Sequence, residues 1–81
     1  MNTPTPTKEL HEALTDLLSY SIETVSIAVS ERYNNTRMHR DDNGFVSISS
    51  DTDPHYGWRD LSAQEHIDLA EAVSWIETNS N

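Results

Sequence analysis

A chain of 81 residues with a formal net charge of −9 has room for one small domain, and a domain of that size buries only about 60% of the surface its unfolded chain exposes. It contains no cysteine, so neither a disulfide nor a thiolate-bound metal can staple the core. Its 14 acidic against 5 basic side chains oppose direct contact with nucleic-acid phosphates, and no run of about 18 apolar residues is present for a membrane span.

Residues 1–6 place Pro4 and Pro6 among threonines and read as a disordered lead, without the apolar core of a secretion signal. The expected location is therefore the cytoplasm. Residues 7–81 read as a single small domain. Between Leu10 and Val29, helical spacing gathers Leu10, Leu14, Leu17, Leu18, Ile22, Val25, Ala28 and Val29 in one stripe. Glu9, Glu12, Asp16, Ser19, Glu23 and Ser30 fall opposite. The pattern predicts one amphipathic helix over about 7–33, roughly 40 Å long. Val25, Ile27 and Val29 also alternate as a half-buried strand does. That alternative needs a break near Tyr20, where no glycine or proline stands.

Asn34 and Asn35 stop the helix, and Asn43-Gly44 then signals a two-residue hairpin turn. Residues 36–42 and 45–50 are expected to pair as a small ribbon, docking through Val46 and Ile48. A ribbon this small is stable only against a helix. Residues 51–61 read as a loop. Ser62-Ala63-Gln64-Glu65 is a capping box that opens a helix over about 62–78. Its core stripe is Leu69, Ala72, Val73 and Ile76, and Ile67 and Trp75 lie off it with Asp68 and Glu71. The expected fold is mostly α, with α+β character at the margin: two antiparallel helices with a small β-hairpin packed across them.

The segment "RYNNTRMHRDDNGF" holds Arg32, Arg37 and Arg40, three of the five basic side chains. As a metal site it is poor. His39, Asp41, Asp42 and His55 match no ligand spacing, and the arginines repel a cation. No nucleophile motif or glycine-rich phosphate loop is present, and His11, His39, His55 and His66 are scattered, each read as exposed or locally bonded. No catalytic residue, metal or cofactor is expected. Two readings of the island stay open. Its guanidinium groups can clamp an oxyanion, with a dimer doubling the charge to hold a phosphorylated nucleotide or second messenger. Alternatively they pair with Asp41, Asp42 or helix carboxylates and anchor the ribbon.

The acidic face of the first helix is the stronger signal. Glu9, Glu12, Asp16 and Glu23 recur at spacings that put neighbours about 5–6 Å apart, near the spacing of phosphates along one nucleic-acid strand. Tyr20 and Ile27 lie beside this face. On the last helix, Ile67, Glu71 and Trp75 add an apolar anchor next to acid, the composition of many protein interfaces. Of the aromatic pair Tyr56 and Trp58, Trp58 is expected in the core. In size, charge and lack of cysteine the chain resembles phage-borne inhibitors such as anti-CRISPR proteins and DNA mimics, and the immunity proteins of nuclease toxins. The likeness is one of style, and no motif carries residues across.

The expected function is a non-catalytic interaction module, an inhibitor of a basic, nucleic-acid-handling protein. It would bind through Glu9, Glu12, Asp16, Tyr20, Glu23, Ile27, Ile67, Glu71 and Trp75. A homodimer is expected, because a small unstapled core leaves packing, self-association or a partner as its sources of stability. The alternatives are a dimeric nucleotide-sequestering protein using Arg32, Arg37 and Arg40, and a small oligomeric structural subunit.

Overall fold

No glycine or proline interrupts the chain from Lys8 to Arg32, yet this stretch is two helices: α1 (Lys8–Ser19) and α2 (Ile22–Arg32). The single helix expected over 7–33 is thus corrected. Part of the cause of the break is local. Ser21 takes an extended backbone and its side chain accepts the Thr24 amide at 3.2 Å, starting a new helix as its N-cap. Thr15 and Ser19 bond their hydroxyls back to the carbonyls of His11 and Asp16, competition that weakens the end of α1. The break also shifts the phase of the apolar stripe. Leu10, Leu17, Val25, Ala28 and Val29 are buried as the spacing predicts, but Leu18 and Ile22, which flank the break, are 41% and 45% exposed.

The computed structural model describes residues 8–34, 36–50 and 57–79. The lead at 1–6, His55 and Tyr56 lie outside them. After α2 come β1 (Thr36–Arg40), β2 (Val46–Ser50), β3 (Arg59–Asp60) and α3 (Ala63–Thr78). The strands form an antiparallel sheet in the order β1-β2-β3, with Thr36 opposite Ser50 and Arg40 opposite Val46. The hairpin loop is one residue longer, on its N-terminal side, than a two-residue Asn-Gly turn. Asp41 donates its amide to the Phe45 carbonyl at 2.9 Å, leaving residues 42–44 at the tip. The Asp41 carboxylate accepts the amides of Asn43 and Phe45, which holds this wider turn. Gly44, at φ +94°, packs so tightly on α1 that a Cβ would stand 2.6 Å from the Leu14 carbonyl oxygen. The segment expected as loop over 51–61 supplies strand β3, whose Arg59 and Asp60 pair with Ile48 and Ser47.

Val46 and Ile48 are buried and join Leu17, Val25, Val29, Leu61, Leu69 and Val73 in one core. Helix α3 packs against both α1 and α2, and α2 touches β1. The capping box at Ser62 and Glu65 is complete. One turn in, His66 is 2% exposed. Its Nε2 lies 2.9 Å from the Val46 amide nitrogen and its Nδ1 lies 2.8 Å from the Ser62 carbonyl oxygen. Only the neutral ring with its proton on Nδ1 satisfies both bonds. The ring thereby links β2 to the start of α3. The fold is mostly helical with α+β character. Among the described residues, no helix is long and apolar enough to cross a membrane.

Candidate functional site

Helices α1 and α3 meet over small side chains. Ala13 and Ala70 are almost fully buried there, 4% and 6% exposed, and too short to fill the space between the helices. The result is a groove of about 560 Å³. Its α1 wall is Glu9, Glu12 and Asp16, and its α3 wall includes Ile67, Glu71 and Trp75. Six of the nine residues expected at a partner surface therefore line one concavity. Ser74, Thr78 and Asn79 also line it. These polar positions escaped sequence reasoning, since nothing distinguishes them from ordinary surface residues on a helix. The two alanines were visible as small residues at helical spacing, but their role depends on which helices meet.

The remaining expected residues stand elsewhere. Tyr20, placed beside the acidic face by periodicity, is half-buried and packs against the core at the helix break. Glu23 and Ile27 are exposed on α2, with Ile27 51% exposed. None of the three lines the groove. Trp58, expected in the core, is 55% exposed. It meets the His39 ring edge-on at 6.4 Å and shares a shallow dent with His39 and Ser47.

Electrostatically the groove is one-sided. Glu9, Glu12, Asp16 and Glu71 make no ion pair with any cation among the described residues. Three arginines are engaged elsewhere. Arg32 lies 3.9 Å from Asp68. Arg59 forks onto both Glu65 oxygens at 3.0 and 3.2 Å. Arg40 donates to the carbonyls of Leu17 and Tyr20, at 2.6 and 2.8 Å, so it anchors the ribbon through helix backbone rather than through a carboxylate. Arg37 is exposed, and successive strand residues point to opposite faces, so Arg37 and Arg40 face opposite sides of β1.

Glu65 is the most perturbed ionisable group among the described residues. The Arg59 guanidinium above all, then the Ser62 amide and the Tyr33 hydroxyl, hold its carboxyl down to about 2 against the opposing effect of burial. Burial, reinforced by the neighbouring carboxylate, raises the Tyr33 phenol. This network joins α2, β3 and α3 and serves the fold. The capping serine and glutamate were legible in sequence. Tyr33, 32 positions away, carried no signal. Among the described residues no three His, Asp or Glu side chains converge as metal ligands would. No family model, curated protein or solved structure matches this chain.

Proposed function

We propose that this chain is a non-catalytic interaction module that inhibits a basic, nucleic-acid-handling protein by seating part of that protein in the groove between α1 and α3. The observation that carries the reading is the set of four carboxylates, Glu9, Glu12, Asp16 and Glu71, unpaired among the described residues and facing one concavity. Like charges gathered in a cleft with low-dielectric walls focus the field and speed the approach of a cation. The half-buried Ile67 and exposed Trp75 supply the apolar contact that holds a partner once it arrives. The nucleotide-sequestering alternative has less support, because Arg40 is committed to α1 and stands on the opposite face of β1 from Arg37.

The test uses two baits in a cell lysate, the parent and a variant carrying Glu12→Lys, Asp16→Lys and Glu71→Lys. These positions are exposed and lysine is a good helix former, so the fold is expected to persist. The parent is expected to retain basic nucleic-acid-binding proteins that the variant loses. The same set of proteins on both baits would contradict the proposal.

A further inference from the structure

Glu71 and Trp75 are one helical turn apart on α3, which places them side by side on the same wall. Trp75 is the most exposed large apolar side chain among the described residues, at 66%, and its ring makes no ring contact there. Across the groove, Glu12 and Asp16 repeat the one-turn spacing on α1. The floor between the walls is alanine methyl, so a long side chain can reach down between them.

We infer that the groove takes an arginine-bearing segment of a partner protein, with one guanidinium laid on the Trp75 indole and bonded to Glu71 and to a carboxylate of α1. The inference rests on the groove reading above and specifies which cation the groove prefers. A guanidinium is planar and weakly hydrated, stacks on an aromatic face and presents a fork of donors to carboxylates. Its remaining N–H groups find acceptors in the Ser74 and Thr78 hydroxyls that also line the groove. A lysine ammonium is compact and strongly hydrated, and satisfies the carboxylates without using the indole face to the same degree. An acidic segment would meet four like charges.

The experiment uses a Trp58→Phe background, which leaves Trp75 as the chain's remaining tryptophan. Trp58 lies outside the groove. Two alanine-based peptides are titrated, identical except that one carries arginines where the other carries lysines. Emission from Trp75 and calorimetry are read together, with circular dichroism confirming the helices. The arginine peptide is expected to change the Trp75 emission and to bind about tenfold more tightly, the scale of a well-placed cation–π contact. Trp75→Ala is expected to erase that preference while leaving weak, salt-sensitive binding of both peptides. Equal binding of the two peptides, unchanged in Trp75→Ala, would overturn the inference and leave the acidic-groove reading standing. If neither peptide binds at low salt, both readings fail. Sedimentation of the protein alone covers the remaining occupant: self-association abolished by Trp75→Ala would show that the groove receives a second copy, and would overturn the inference.

Discussion

Arg40 donates through a guanidinium nitrogen to the carbonyl oxygen of Leu17 at 2.6 Å, tying strand β1 to the last turn of α1. The same nitrogen reaches the Tyr20 carbonyl at 2.8 Å. The last carbonyls of a helix have no partner within it, and α1 has no basic residue of its own in its last turn. The cation that complements this helix end comes from a strand about 20 residues later. It stabilises the end and its dipole, and it fixes where the ribbon crosses the break between the helices.

Arg40→Ala therefore leaves two carbonyls without their donor and is expected to cost about 1.5–3 kcal/mol, the range for hydrogen bonds to charged groups. Arg37→Ala, on the exposed face of β1, is expected to cost at most about 1 kcal/mol. Urea denaturation of both variants is the check. Equal losses would show that the Leu17 and Tyr20 carbonyls gain little from Arg40.

Gly44→Ala tests how closely the ribbon tip approaches α1. The position has φ +94° and a Cβ would meet a backbone carbonyl at 2.6 Å, an atom with little freedom to withdraw. Strain and displacement together are expected to cost about 2 kcal/mol or more. A melting temperature equal to the parent's would mean that the tip stands off the helix.

His66→Leu keeps an apolar volume in the core but leaves the Val46 amide without its acceptor. The expected loss is about 1–3 kcal/mol, the desolvation cost of a buried unpaired donor. Hydrogen exchange is the most specific check, since protection should fall at Val46 before it falls in the centre of α3.

Glu65 gives the fold an acid limb. Its folded carboxyl is held down to about 2 from an ordinary 4.5, chiefly by the Arg59 guanidinium, so folding favours the charged form. That stability is fully present above pH 4.5 and drains away as pH falls through about 2. Arg59 is more than half exposed, so solvent screening reduces the contribution to about 1 kcal/mol. The difference in stability between parent and Glu65→Gln should be constant near neutrality and shrink across that window. A difference independent of pH would place the value of Glu65 in its shape alone.

The last helix was readable because its signals are local. A capping box spans four positions and a core stripe repeats each turn, so neither depends on the rest of the chain. The hairpin was readable for the same reason, although Asp41 widened its turn. What escaped was set at long range. The break at Ser19–Ser21 is completed by Arg40, and Ser21 looks like one serine among several in that stretch. Strand β3 is two residues long and exists because β2 offers it an edge. Trp58 was misplaced because an aromatic residue in a small chain reads as core, whereas this core closes with Leu61 and aliphatic residues from the helices and sheet. The two walls of the groove were visible one helix at a time. Their meeting was not, because it depends on α1 and α3 packing over Ala13 and Ala70.

The most direct measurement of the central claim, that the groove attracts a cationic partner through a shared field, is the association rate of an arginine-bearing peptide. It is followed by stopped-flow fluorescence at low and high salt, for the parent and for the variant with Glu12, Asp16 and Glu71 changed to lysine. Steered association slows steeply as salt screens the field, whereas apolar contact acts mainly on dissociation. The parent is expected to associate at least about tenfold faster than the variant at low salt, with the gap closing at high salt. Equal rates at both salts, with both proteins folded, would contradict the account and leave the acidic face a solubilising surface.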